Sequence, residues 1–142
     1  MAVASSLRNL VANRARHLCE YCKSPESYAM QSFECEHIVP ISKGGADDLN
    51  NLAWSCGGCN RFKSNHTEGI DPETEEMTHL FHPRKDDWFD HFVWSDDFCH
   101  AYGLTSTGRA TLKLLRLNRD GIVRLRTLLV QNGEHPPVET RL

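Results

Sequence analysis

The chain has 142 residues, of which 39% are hydrophobic and 25% charged, and its net charge is −3. That size and balance fit one globular domain with a modest core, and they exclude wholesale disorder or a uniformly basic nucleic-acid binder. No apolar run approaches the ~18 residues of a membrane span, and Met1 to Ser6 lacks the basic start and apolar centre of a signal peptide, so a cytoplasmic (intracellular) protein with no membrane partner is expected.

In chain order, Leu7, Leu10, Val11 and Leu18 have helical spacing and predict a short helix over Leu7 to His17. Gln31 to Ile38 reads as a strand around Phe33, ended by Pro40. Gly44-Gly45 and the two aspartates up to Asp48 predict a loop, Leu52 to Ser55 a second strand, and Asn60 to Asn65 a helix. Residues 67–90 are acidic and interrupted by Asp71-Pro72 and His82-Pro83, which predicts an irregular excursion over the surface. Phe92 to Trp94 and Cys99 to Leu104 are expected to pair as a hairpin across Ser95-Asp96-Asp97. Thr105 to Leu117 reads as an amphipathic helix with Leu104, Ala110, Leu114 and Leu117 turned inward. Asp120 is expected to cap a last helix through Val130 that Gly133 ends, and the tail at Pro136-Pro137 should be loose.

Six cysteines are present, four of them as the Cys-x-x-Cys pairs Cys19/Cys22 and Cys56/Cys59. A Cys-x-x-Cys turn offers two thiolates on one bend, and two such turns complete a tetrahedral shell for Zn2+. The pairs are separated by 33 residues, so the metal would clamp the base of an inserted unit, with Gly57-Gly58 easing the bend of the second turn. Redox dithiols are the competing reading, and iron in a four-thiolate site is chemically allowed. Cys35 and Cys99 read as buried strand and hairpin residues.

Between and after the pairs lie Glu36-His37-Ile38-Val39-Pro40, Gly44-Gly45, Asn50-Asn51-Leu52 and Cys59-Asn60-Arg61-Phe62-Lys63. His37 and Asn51 are 14 residues apart, Asn51 and Asn60 nine. Taken singly, each piece is an ordinary strand end, turn or helix cap. Taken in order, they resemble the HNH endonuclease family, in its branch with two Cys-x-x-Cys pairs around a ββα-metal core, over residues 15–66.

The resemblance implies a ββα-metal (HNH) core stapled by a zinc site of four cysteines, and with the N-terminal helix and the C-terminal hairpin plus two helices read above, the expected fold class is α+β. One domain over 1–142 is expected, with the core at 15–66 and an extension at 67–142. The implied activity is metal-dependent hydrolysis of phosphodiester bonds in DNA. His37 would be the general base, Glu36 and Asn60 the ligands of a catalytic Mg2+ or Mn2+, and Cys19, Cys22, Cys56 and Cys59 the ligands of a structural Zn2+. Asn51 would hold the loop and orient His37. Successive strand residues point to opposite faces, so Glu36 and His37 meet one cation only if the strand ends or bends there. The family more often has Asp where this chain has Glu36, and many members have His where it has Asn60, which bears on metal preference.

Arg61 and Lys63 are candidate phosphate contacts, with His66 near them. From 67 to 100 ten acids face only Arg84 and Lys85, whereas from 101 onward seven Arg or Lys face Asp120, Glu134 and Glu139. Arg109, Lys113 and Arg116 share one helix face and, with Arg124 to Arg126, make either a solvated surface or a phosphate-tracking one. Trp88, Phe89, Phe92 and Trp94 are either core or a base-stacking platform. Nucleic acid is the expected partner, and no obligate protein partner is evident. The rival function is a non-catalytic zinc module that binds nucleic acid or protein, which would leave Glu36, His37 and both asparagines without a task.

Overall fold

The computed structural model describes residues 3–138. Helix α1 (Ser5–Arg14) buries Val11 and Ala12 and has no side-chain cap. Its arginines fasten it instead: Arg8 donates to Phe33 O at 2.6 Å and lies 4.7 Å over the Trp54 ring, while Arg14 donates to Leu49 O and Leu52 O.

Strands β1 (Glu34–His37) and β2 (Leu52–Ser55) pair antiparallel, with Glu36 opposite Ala53 and His37 opposite Leu52. All four β2 residues are buried, as befits a strand covered on both faces. β1 is shorter than the expected Gln31 to Ile38, because only Glu34 to His37 pair with β2. Helix α2 (Gly57–Lys63) starts earlier than expected, its first turn lying inside the second cysteine pair, and ends at Ser64 with φ of 50°. β1, β2 and α2 form the expected ββα unit.

Residues 67–90 depart from the expected irregular excursion. They hold a hairpin, β3 (Glu68–Ile70) with β4 (Met77–His79), and the one-turn helix α3 (Trp88–His91). Asp71-Pro72 starts the turn of that hairpin. The Asp71 carboxylate accepts from Glu73 N, and Asp71 N and O bond Glu76 O and Glu75 N. Strands of three residues are too short for alternation to show in sequence.

The expected hairpin of aromatic residues is present as β5 (Phe92–Trp94) with β6 (Ala101–Gly103). Helix α4 (Ser106–Leu115) is capped by Thr105, whose hydroxyl accepts from Gly108 N. Leu104, expected inward, is 53% exposed, and Leu115 and Leu117 fill the core beside Ala110. Helix α5 (Asp120–Gln131) has Arg119 at its cap position and Asp120 in its first turn, and Gly133 follows it with φ of 72°. His135, just before the tail expected to be loose, is buried, its ring 4.6 Å from that of Trp94 and its Nε2 2.9 Å from Phe98 O, while Val138 is 81% exposed and residues 139–142 lie outside the described residues.

One continuous cluster of buried residues runs through both parts of the chain. Trp88 Nε1 donates to Tyr21 O, and Phe81 meets Tyr21 and Phe92 edge-on. Trp88 and Phe92 are buried, which settles the aromatic group as core. At such sites each large apolar side chain contributes about 1.5–3 kcal/mol. No described helix is long and apolar enough to cross a membrane.

Candidate metal centre and active site

The Sγ atoms of Cys19, Cys22, Cys56 and Cys59 all lie within 4.8 Å of one another. Those of Cys22 and Cys56 are 3.8 Å apart. Tetrahedral Zn2+ with bonds of about 2.3 Å sets its sulfurs about 3.8 Å apart, so the cluster fits a zinc ion. Two independent redox dithiols would not require the two turns to converge. In each turn the second cysteine's N–H faces the first one's sulfur, at 3.5 Å for Cys22 on Cys19 and 3.4 Å for Cys59 on Cys56.

Two arginines of the extension close over this centre: Arg119, which does not stand out in the sequence, and Arg126, expected on the basic face. Arg119 donates to Cys56 Sγ at 3.4 Å and Cys59 Sγ at 3.6 Å. Four thiolates around a dication leave a net charge of −2, which an adjacent guanidinium offsets. A Cβ at Gly58 would sit 2.4 Å from Arg119 Nη2, so that glycine makes room for the arginine and has no bend to ease. Arg126 is 2% exposed and donates to the carbonyls of Cys22, Leu117 and Cys99 and to Asn118 Oδ1. It therefore belongs to the interior and not to the expected basic surface.

β1 delivers Glu36 and His37 to an open groove of about 330 Å³, which Ser42, Asn60, Ser64 and Asn65 also line. Glu36 is 6% exposed. Tyr21 OH donates to its Oε1, and Lys63 Nζ lies 3.4 Å from Oε2. Burial pushes the Glu36 carboxyl above its ordinary value, and the Lys63 ammonium opposes that shift. Lys63 comes from α2, so Glu36 faces that helix, and Asn60, one turn before Lys63, shares the facing side. Among the described residues the Asn60 side chain has no hydrogen-bond partner. His37 points the other way from Glu36, as strand alternation requires, but it is the last residue of β1. Its Nε2 donates to Asp47 Oδ1 at 2.9 Å. Glu36, His37 and Asn60 thus reach one groove, and the oxygen donors of Glu36 and Asn60 fit a hard cation such as Mg2+ or Mn2+.

Asn51 braces the segment that follows His37. It is 8% exposed. Its Oδ1 accepts from Val39 N, and its Nδ2 donates to Val39 O and Ala46 O. The amide thereby ties the exit of β1 to the glycine loop. Gly44 has φ of 89°, and a Cβ at Gly45 would lie 1.7 Å from Val39 O, so only glycine permits this approach. Asn51→Ala strands the Val39 groups and is expected to cost about 2–4 kcal/mol, given about 1–3 per unpaired buried group. Asn51→Asp, which turns an acceptor toward two carbonyls, should cost as much. Thermal melts with zinc saturating measure this, and a loss under about 0.5 kcal/mol would contradict the tie.

The expected phosphate contacts separate. Arg61, Lys113 and Arg116 are exposed, and Arg116 lies 4.8 Å over the Phe62 ring. Lys63 is 1% exposed and donates to Ile38 O, so it is an internal strut and not a phosphate contact. Arg109 is likewise taken up: its Nε and Nη2 donate to the two Asp71 oxygens at 3.0 and 2.8 Å. His66 lines a second groove with Lys113 and Arg116, between the β3–β4 hairpin and α4, and not the groove of His37.

The Arg109 guanidinium holds the buried Asp71 carboxyl well below the usual carboxylate range, helped by Ser106 Oγ. A depressed folded-state value means that the pair's stabilisation is complete above the ordinary Asp value of about 3.9 and is lost only as pH falls below it. The stability gap between wild type and Asp71→Asn is therefore expected to stay constant from pH 8 to 5. The gap should shrink as pH falls below about 4, and a gap that stays constant through that acid range would show that the folded state does not hold the Asp71 carboxyl below its ordinary value.

Residues 19–66 match the family model described as HNH endonuclease. No curated protein matches the chain.

Proposed function

We propose, from the premise that residues 19–66 belong to the HNH endonuclease family, that this protein is a metal-dependent endonuclease cutting phosphodiester bonds in DNA. The observation that carries the reading is the single groove into which β1 and α2 bring Glu36, His37 and Asn60. The family supports a nuclease-type function and a nucleic-acid partner, and the four thiols support zinc binding.

In this reading His37 takes the proton from an attacking water, a task suited to an imidazole side chain. Glu36 and Asn60 hold the divalent cation. Bound there, that ion stabilises negative charge on the phosphate and the leaving oxygen. Asn51 keeps the His37 segment in place through Val39, and Tyr21 and Lys63 keep the Glu36 carboxylate turned toward α2. Arg61, Lys113 and Arg116, the exposed cations near α2 and α4, steer the phosphate backbone. Hard oxygen donors at the groove and soft sulfur donors at the knuckles keep the two metals apart.

Supercoiled plasmid incubated with zinc-loaded protein and added Mg2+ or Mn2+ tests the activity. Nicked circles are expected. Plasmid left intact by a protein with a full zinc complement would favour a non-catalytic zinc module.

A further inference from the structure

We infer that Asp47 is a positioning residue for the reaction: it fixes His37 so that Nδ1, not Nε2, is the nitrogen that accepts the water proton. The inference rests on the proposed nuclease reading and deepens it.

The His37 ring is mostly covered, its side chain 15% exposed, and Nε2 lies 2.9 Å from Asp47 Oδ1. A carboxylate can only accept, so the hydrogen between them belongs to Nε2. In a neutral imidazole the other nitrogen is then the unprotonated one. Nδ1 has no hydrogen-bond partner among the described residues, and His37 lines the groove that holds Asn60 and Glu36. The ring thus has one nitrogen tied to a carboxylate and the other free to take a proton. A fixed ring orientation and a negative neighbour for the imidazolium formed on proton transfer are what a carboxylate supplies to a histidine base.

Asp47 is held in place by the loop and not by its own contacts. It lies in the segment from Gly45 to Asn51, which the Asn51 amide pins at Ala46 O on one side and the Asp48 carboxylate caps at Asn50 N on the other. Its side chain is 46% exposed, so its replacement leaves no buried group behind. The sequence pattern gives Asp47 no weight, since an acid in a glycine loop is ordinary.

The test uses the full-length zinc-loaded protein and its Asp47→Ala, Asp47→Asn and His37→Gln variants. In nicking assays Asp47→Ala is expected to lower kcat about 10- to 100-fold with KM little changed, a part of the ~10²–10⁴ that a general base supplies. Asp47→Asn keeps an acceptor oxygen and is expected to recover part of that loss. The independent readout is nuclear magnetic resonance of the ring: wild type should show a slowly exchanging proton on Nε2 that vanishes in Asp47→Ala and in His37→Gln. Mg2+ binding measured by calorimetry should be the same in wild type and Asp47→Ala.

A proton found on Nδ1, or an Asp47→Ala enzyme as fast as wild type, would overturn the inference. A several-fold weaker Mg2+ affinity in Asp47→Ala would overturn it too, making Asp47 a cation ligand. Full activity in His37→Gln would overturn it as well, by removing His37 from the reaction, whereas no nicking by zinc-loaded wild type would defeat the underlying nuclease reading, whatever Asp47 does.

Discussion

Removing the metal from the four thiols is expected to unfold the ββα unit and loosen the two C-terminal helices with it. Structural zinc in small modules contributes about 10–16 kcal/mol of apparent binding energy, against a total stability of about 5–15 kcal/mol for a domain. Here the ion joins the segment after α1 to the start of α2, and β1 and β2 lie between those ends. Without it, four mostly buried thiols face one another with Arg119 against them and Arg126 buried nearby. The loss therefore exceeds that of one local contact. Chelation, or Cys56→Ser, should abolish cooperative melting and expose Trp54 and Trp88, both of which are buried. The fluorescence of those tryptophans and a zinc assay on the same sample measure it. An unchanged melt after complete metal removal would show that the thiols are a packing feature only.

The second large effect concerns catalysis and not folding. His37→Ala is expected to lower cleavage by at least about 10²-fold, the usual contribution of a positioned acid–base group. The replacement takes away a half-buried ring whose one polar contact among the described residues is Asp47, at the open end of β1. No buried partner is left unpaired, so folding and zinc content should survive. This separates His37 from Glu36. Removing Glu36 would leave the Lys63 ammonium buried without its carboxylate, and loss of activity there would mix folding with chemistry.

The ββα unit was legible because its signals are local or strongly typed: two Cys-x-x-Cys turns, a Gly-Gly loop, and apolar β2 matching Leu52 to Ser55 residue for residue. Asn51 could be singled out by its place in the motif, whereas its three hydrogen bonds to Val39 and Ala46 are seen only in the fold. The β3–β4 hairpin was not legible, because three-residue strands carry no period and Asp71-Pro72 reads equally as a break or as a turn. Lys63 and Arg109 show the limit of reading charge in one dimension. Each has the spacing of a surface cation, and each is consumed by a carboxylate, Glu36 or Asp71, brought from another element. Arg126, expected on the basic face, is buried in the same way, and Arg119, which the sequence does not single out, sits against the thiols through the packing of α5 across the knuckles, which no short-range pattern records.

Cleavage, on this reading, depends on one imidazole acting in a groove built for a hard cation, on a scaffold that zinc holds together. Its most direct test is nicking of supercoiled plasmid across a Mg2+ titration, run with zinc-loaded wild type beside zinc-loaded His37→Ala. Wild type should nick the plasmid in proportion to added Mg2+, and the variant, with equal zinc and an equal melting temperature, should not. Equal nicking by the two proteins, or none by either at any Mg2+ concentration, would contradict it.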